Sequence, residues 1–333
     1  MTHARKAVRL EGQRAGHAPG HFMNKQRGAG LIIAVLALPM VLAMIGPAGG
    51  ATLGGHCVLA LDPAMDAALV VAGTADVTSY CGLASNSSSD TAILVAGSLS
   101  HYGQPLQAHG HIATTSAGTI AYEAPPRILS GPVVDPYAGV LTGLQADPSC
   151  SPTGPASPLP PSPLPPGRYC GGITINGNID FQPGLFVLDG GGLKIVGGGD
   201  IRGPGVTFVL TASDASDLGS FDVSGGGLLE LRSPTAAEAA ATGGYEGMLF
   251  IQDPYVPNLD TAPLPKQMLT GGTNMQLDGV LYFPNTEVVY TSGSYGDIAC
   301  RLIVSRKVTF AGIVYLENDA TACAEAGIGS GVH

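Results

Sequence analysis

The sequence predicts a mainly β protein, in which a single N-terminal transmembrane helix is followed by an exported domain of the β-solenoid or β-helix type. Short apolar alternations recur every 20 to 24 residues with glycine at their ends, and such a period is typical of stacked rungs. The chain contains 49 glycines and 26 prolines, which indicates many tight turns between short strands. Apolar residues make up 45% of the chain, enough for a packed core.

The N-terminal part is predicted to anchor the chain in a membrane. Residues 1–27 form a basic tail with six Lys or Arg residues and one Glu, and residues 28–50 are 23 uncharged, mostly apolar residues, enough for a helix across about 30 Å of hydrocarbon. Because positive charge favours the cytoplasmic side, we expect the N-terminus in the cytoplasm and the rest in the periplasm or at the cell surface, anchored by one pass of the inner (cytoplasmic) membrane. A cleaved signal peptide is the alternative, and it also exports the rest.

The first exported β-rich segment is residues 51–149. Within it, "ALVVAGTADVT" (68–78) and "AILVAGSLSHY" (92–102) begin 24 residues apart and share one plan of apolar run, glycine turn and apolar run. We expect them to stack as equivalent sides of neighbouring rungs.

The second segment, residues 171–333, repeats the same plan and is predicted to be the main solenoid-like region. "ITINGNID" (173–180) and "LKIVGGGDI" (193–201) begin 20 residues apart. Glycine is expected at the corners, where positive φ angles are needed. A β-sandwich with strands paired in sequence is the alternative architecture.

Two irregular stretches interrupt the repeats. Residues 150–170 form a Pro-rich loop bracketed by cysteines, with eight prolines between Ser151 and Pro166, which favours an extended path. The stretch "SPTAAEAAATGGYEG" (233–247) predicts a short surface helix or a disordered loop.

The cysteines agree with export. All six follow the apolar segment, and an even number on the oxidising side indicates disulfides. They fall into three local pairs 20 to 24 residues apart, and we predict the bridges 57–81, 150–170 and 300–323, with buried free thiols as the alternative; the residues are Cys57, Cys81, Cys150, Cys170, Cys300 and Cys323.

The sequence contains no convincing catalytic, cofactor or metal motif, and we predict none of these sites. His109 and His111 would share one face of a strand near His101, but no Cys or carboxylate completes a metal set. Aspartates near glycine turns suggest calcium, yet the repeated Gly-Gly-x-Gly-x-Asp rows are missing; they are Asp189, Asp200, Asp214, Asp217 and Asp222. Asn86-Ser87-Ser88 matches a glycosylation acceptor.

An exported enzyme acting on polysaccharide is the alternative function. A lyase on a β-helix would need acids and a basic residue on one face of the solenoid, and Arg202 is close in sequence to Asp189 and Asp200. The chain has no tryptophan and 6% aromatic residues, which weakens a sugar-stacking groove.

Several stretches together resemble the TadG-like proteins of Flp (tight adherence) pilus assembly. They are "NKQRGAGLIIAVLALPMVLAMIG" (24–46), "CVLALDPAMDAALVVAGTADVTSYCGLASNSSSDTAILVAGS" (57–98), the run from "PPGRYCGG" to "GVTFVLT" (165–211), "GVLYFPNTEVVYTSGS" and "CRLIVSRKVTFAG". About ten residues separate Gly46 from Cys57, where such proteins have a long alanine-rich stretch. Ile33 stands at the fifth position after Gly28, where a pilin would have glutamate, so the chain does not look like a filament subunit.

The resemblance implies a non-enzymatic structural or assembly protein of the cell envelope, near a pilus or surface adhesion system. Its expected partners are the lipid bilayer, through residues 28–50, and other pilus or envelope assembly proteins. Self-association through the ends of the solenoid is compatible with this role. Nucleic acid is not an expected partner, because the basic tail is better explained by membrane topology.

Overall fold

The computed structural model describes residues 55–150, 161–223, 227–270, 274–291 and 299–329. Strands dominate them, and every pair of neighbouring strands among these residues is parallel. The strands are β1 His56–Ala60, β2 Leu69–Val71, β3 Asp76–Ser79, β4 Gly82–Ser85, β5 Ile93–Val95, β6 Ser98–His101, β7 Gln107–Ala108, β8 Ile112–Thr114, β9 Thr119–Tyr122, β10 Arg127–Ile128, β11 Gly167–Asn176, β12 Ile179–Asp180, β13 Gly184–Val196, β14 Ile201–Pro204, β15 Val206–Thr211, β16 Phe221–Val223, β17 Leu229–Arg232, β18 Met248–Gln252, β19 Gln267–Leu269, β20 Met275–Tyr290, β21 Arg301–Phe310 and β22 Ile313–Leu316.

Parallel pairing throughout favours the solenoid over the sandwich, whose strands pair mostly antiparallel. Two short helices interrupt the strands, α1 Ala236–Thr242 and α2 Ala320–Glu325. Helix α1 falls in the stretch for which the sequence predicts a short surface helix or a disordered loop, and the structure has the helix. None of the described helices has the length and apolar character needed to cross a membrane, and the predicted span, residues 28–50, lies outside the described residues.

The strands form three sheets around a common core. Sheet 1 has the order β10-β7-β4-β1-β21-β20-β18-β15-β13-β11. Sheet 2 has the order β8-β5-β2-β21-β20-β19-β16-β13-β11. Two further sets of strands, β12-β14-β17-β20 and β22-β3-β6-β9, do not pair with each other among the described residues, and we call them together sheet 3. The long strands β11, β13, β20 and β21 each contribute to more than one sheet.

The predicted repeats stack as expected. Leu69 of β2 pairs with Ile93 of β5, 24 residues later. In the second segment, Ile173 of β11 pairs with Leu193 of β13, 20 residues later. Both β-rich segments thus follow one rung plan, and together they form a single continuous solenoid.

The order of the rungs in space differs from their order in the chain. Strand β1 pairs with β4 on one side and with β21 on the other, so that Val58 lies beside both Leu83 and Ile303. The described chain therefore begins in the middle of the solenoid and winds outward to β10. It then resumes at the opposite end with β11 and winds back until β21 closes against β1.

A segment that we call the strap, residues 129–150, follows β10 along sheet 1 towards the β11 end. Val133 is hydrogen-bonded to Asn86, just after β4. Further along, Asp135 accepts a 2.9 Å hydrogen bond from the Tyr282 hydroxyl. These contacts, with one between the Asp147 backbone and β13, span six strand spacings, about 29 Å at the usual distance between strands. The strap thus follows the stack along more than half of sheet 1.

Aromatic side chains stack through the core of the second segment. Phe186 and Phe208 have ring centroids 5.1 Å apart, Phe208 and Phe250 5.6 Å, and Phe250 and Phe221 4.1 Å. All four are fully buried. Since such pairs add roughly 0.5–1.5 kcal/mol beyond the burial of their area, this cluster joins three neighbouring strands of sheet 1, β13, β15 and β18, to β16 of sheet 2.

Glycines at the corner between sheets 1 and 2 are required by close stacking. A Cβ on Gly192 would lie 2.0 Å from the carbonyl oxygen of Ser220, and one on Gly191 would lie 2.2 Å from the carbonyl carbon of Gly171. Only some of these corner residues, such as Gly172 with φ of +81°, also need a positive φ. The expectation that corners need positive φ is therefore too narrow, because the approach of the next rung excludes a side chain even where φ is ordinary.

The two ends of the solenoid differ. At the β11 end, Leu164 bridges to Phe181, and the core side chains Leu164, Ile173 and Ile175 are at most 1% exposed. At the β9 end, Tyr122 follows the core column of Leu316, Ser79 and His101 but is 51% exposed. One end is thus closed and the other is open.

Candidate functional site

The three predicted disulfides are present, and no described cysteine is free. Cys57–Cys81 joins neighbouring rungs of the first segment. Cys150–Cys170 joins the end of the strap to β11. Cys300–Cys323 joins the start of β21 to α2. The Cys57–Cys81 bridge is local in sequence because β1 and β4 are neighbouring strands one turn of the solenoid apart. The other two bridges fasten the strap and α2, which are not strands of a neighbouring rung.

Asp189 is a structural carboxylate. It is fully buried at the end of the sheet 1 part of β13 and forms an ion pair with Arg168. It also accepts a 2.7 Å hydrogen bond from the backbone N–H of Asp147, while Arg168 donates to the carbonyl of Gln145 at 2.8 Å. Because both groups bind the strap, this pair fastens the strap to the β11 end.

Arg202 lies on the outer surface of sheet 3, between two carboxylates. Its guanidinium is 3.5 Å from Asp200 and 3.7 Å from Glu230, and all three side chains are about half exposed. These distances exceed those of strong charge-assisted hydrogen bonds, so Arg202 is loosely held. The structure therefore places Arg202 beside Asp200, as the enzyme hypothesis needs, while Asp189 is buried in a different ion pair.

A groove of about 290 Å³ adjoins Arg202 on sheet 3. We call it the sheet 3 groove, and its lining residues are Arg202, Gly203, Pro204, Glu230, Arg232, Gln276, Asp278 and Glu325. Parallel register brings them together, since Arg202, Glu230 and Gln276 occupy one row across three strands. Sequence reasoning missed the later members because they are 28 to 123 residues away from Arg202 and form no motif.

Asp278 is the most buried acid of the sheet 3 groove, at 7% exposure. Burial raises its pKa above the ordinary value. Its two oxygens accept 2.8 Å hydrogen bonds from the backbone N–H of Cys300 and from the side chain of Gln276. A carboxyl group with a raised pKa in a groove is a feature of sites that exchange protons or bind hydroxyl groups.

Arg232, at the other side of the groove, binds groups of both helices. It forms a two-point ion pair with Glu238 at 2.7 and 2.9 Å and donates to the carbonyl of Glu325. Glu238 also accepts from Thr235 in the capping box of α1. The hydrogen bonds from Arg232 lower the pKa of Glu238 to about 2. Arg232 thus ties both helices to β17.

The remaining candidate acids do not converge. Asp214 accepts hydrogen bonds from Ser216 and Asn258, which lower its pKa, and it caps the short 3-10 helix Ala215–Asp217. Asp222 lies in β16 on sheet 2. Among the described residues, no group of three or more His, Cys, Asp or Glu side chains is arranged to hold a metal ion.

The histidines are separated as well. His101 is buried at the end of β6, where burial lowers its pKa. His109 and His111 lie in the turn between β7 and β8, so the expectation that they share one strand face is wrong. Gly110 between them packs tightly on the previous rung, where a Cβ would lie 2.1 Å from the carbonyl oxygen of Ser89.

Asn86, the first residue of the triplet that matches a glycosylation acceptor, has a structural role. It is 6% exposed, and its amide oxygen and nitrogen both bind the backbone of Val133, at 2.7 and 2.8 Å. An amide in this state is not accessible to a glycan transferase in the folded protein.

No protein-family model, no curated protein and no solved structure matches this chain.

Proposed function

We propose that the chain is an exported, membrane-anchored structural or assembly protein without enzymatic activity. The observation that carries this proposal is the set of three disulfides, each of which fastens neighbouring parts of one solenoid. Disulfides form in oxidising compartments, which agrees with a basic tail and an apolar segment ahead of the first cysteine. Most of the charged and polar side chains discussed above bind other parts of the same chain, in contacts with the strap and in helix caps.

The location follows from the same features. The tail, residues 1–27, would stay in the cytoplasm, residues 28–50 would cross the inner membrane, and the solenoid would face the periplasm or the cell surface. A rigid solenoid in that place would offer long lateral surfaces and two ends for assembly with other envelope components.

Protease treatment of spheroplasts that carry a C-terminally tagged chain tests the export. We expect the tag to be digested from outside, the undigested chain to keep its full length, and reduction to change its mobility on a gel. A cytoplasmic marker protein should stay protected in the same cells until detergent is added. A protected tag together with free thiols would overturn the proposal, and a shortened chain would replace the anchor by a cleaved signal peptide.

The association with a Flp-type pilus is supported by the resemblance to TadG-like proteins. Deletion of the chain is expected to reduce the amount of pilus subunit on the cell surface while the amount inside the cell stays the same. Unchanged surface pili would remove the pilus from the proposal and leave the envelope role.

An exported polysaccharide-acting enzyme is the second candidate, and the sheet 3 groove favours it. There Arg202, Glu230 and Asp278 line one concave surface, and such a combination could bind a saccharide and transfer a proton. Incubation of the purified chain with acidic and neutral polysaccharides should give no cleavage under the main proposal. Cleavage that is lost in Arg202→Ala would establish the enzyme instead.

A further inference from the structure

The open end of the solenoid presents core positions to solvent. In sheet 3, Ile120 follows the buried column of Val314, Val77 and Leu99, and those three are at most 1% exposed, whereas Ile120 is only half-buried. The next column ends with Tyr122, which is 51% exposed. One more rung would cover both side chains.

The strands at this end also have free edges. Within the described residues, β8 pairs only with β5, β9 only with β6 and β10 only with β7. Each therefore has one edge whose backbone hydrogen-bonding groups face no further strand. Ile128 in β10 adds a 56% exposed apolar side chain. This combination of free edges and exposed apolar side chains is one that proteins usually protect.

Charge protects only part of the open end: Arg127 of β10 is exposed, but β8 and β9 carry no charged residue. Residues 112–122 contain no Lys, Arg, Asp or Glu and no proline, although these are the residues that commonly guard exposed edges. The whole chain carries a formal net charge of −10, so two copies repel each other on average. The uncharged part of the open end, formed by β8 and β9, is a surface where two copies can meet without facing like charges.

The closed end does not offer a matching surface. Its core residues Ile173 and Ile175 are already buried. Head-to-tail stacking would therefore place the open end of one copy on the closed end of the next, which has no exposed core residues to cover. Joining two open ends by a two-fold axis lets each copy cover the core positions of the other. The free edges then run antiparallel to each other, which is compatible with hydrogen bonding.

We propose that the open end, formed by β8, β9 and β10, is a dimer interface through which two copies of this chain pair end to end. The occupant is a second copy of the same end, and the product is a closed pair, not a growing filament. This inference goes beyond the proposed function and does not depend on export or on pilus assembly.

The mass of the full chain in detergent micelles, measured by light scattering with the detergent contribution subtracted, tests this pairing. We expect the mass of two chains. Tyr122→Lys and, independently, Ile128→Lys should weaken pairing at least tenfold, because like charges would face each other in the dimer. Both positions are more than half exposed, so unchanged thermal unfolding of the diluted monomer would show that the fold is intact.

Two further measurements sharpen the test. Thr174→Lys, at an exposed position of β11 at the closed end, should leave the dimer unchanged. A mixture of the Tyr122→Lys and Tyr122→Glu chains should pair again, because opposite charges then meet. A monomer at all concentrations, a dimer that resists both lysine variants, loss of pairing in Thr174→Lys, no recovery in the mixture, or open-ended polymers would each overturn the proposal.

Discussion

The side-chain amide of Asn86 holds the backbone of Val133 at two points, with hydrogen bonds of 2.8 and 2.7 Å. The two residues are 47 positions apart, and the contact fixes the strap just after it leaves the open end. Because the same amide donates and accepts, it satisfies both backbone groups of one strap residue, as a strand would do.

Asn86→Ala is expected to release the first part of the strap. The loss of two hydrogen bonds in a buried setting should lower the free energy of unfolding by about 2 kcal/mol. Limited proteolysis should then cut between residues 129 and 150 more readily than in the parent chain. Ser88→Ala is the matched control, since it removes the same acceptor triplet but leaves the amide in place, and equal cleavage in both variants would contradict the role of Asn86.

Gly192→Ala should be strongly destabilising. The added Cβ would lie 2.0 Å from the carbonyl oxygen of Ser220, and backbone on both rungs would have to move. We expect a loss of at least about 3 kcal/mol, measured by denaturant unfolding. Gly198→Ala is the control, because a Cβ at Gly198 meets no atom within 4 Å; comparable losses in the two variants would show that stacking distance is not the cause.

Glu238 should make stability depend on pH. Its pKa is lowered in the folded state from 4.5 to about 2, so its contribution is full above the unfolded value and is lost as pH falls from about 5 towards 2. Relative to Glu238→Gln, the parent chain should be more stable at pH 7 by about 1–2 kcal/mol, after allowance for its partial exposure. Unfolding in denaturant at several pH values checks this, and a difference that stays constant down to pH 3 would refute it.

Removing the Cys300–Cys323 bridge should loosen α2. The double variant Cys300→Ser, Cys323→Ser opens a loop with a sequence separation of 23 residues, and the expected loss is about 3 kcal/mol. The carbonyls of Glu325 and Ala326 would still accept from Arg232 and Ser233, so the helix should exchange amide hydrogens faster without full unfolding. Unchanged exchange in α2 would show that these hydrogen bonds are sufficient to hold it.

The sequence was sufficient to predict what one turn of the solenoid determines. Leu69 and Ile93 carry the same apolar pattern 24 residues apart, and a turn of that length places them side by side. The Cys57–Cys81 bridge follows for the same reason, whereas Cys150–Cys170 and Cys300–Cys323 were predicted from local spacing alone and fasten the strap and α2. Glycine at the corners was also predicted. The sequence does not reveal, however, that Gly192 is required because the next rung lies too close for a side chain, and not because of its φ angle.

The order of rungs could not be predicted from the sequence. Val58 and Ile303 pair across 245 positions, and their strands have the same apolar character as many others in the chain. The candidate residues show a similar limit, because Asp189 looked like a turn carboxylate until its pairing with Arg168 was seen. Residues that serve the strap have no sequence pattern, since their partners are irregular backbone groups far away in the chain.

The closure of β21 against β1 also determines how the chain can fold. Strand β1 is made early, yet one of its two neighbours is made only after about 240 further residues. Until then its edge stays unsatisfied, and contacts of such long sequence separation slow folding. The early rungs therefore wait with an unsatisfied edge until β21 is synthesised, and this is the period in which a chaperone or a wrong strand has most access to the chain.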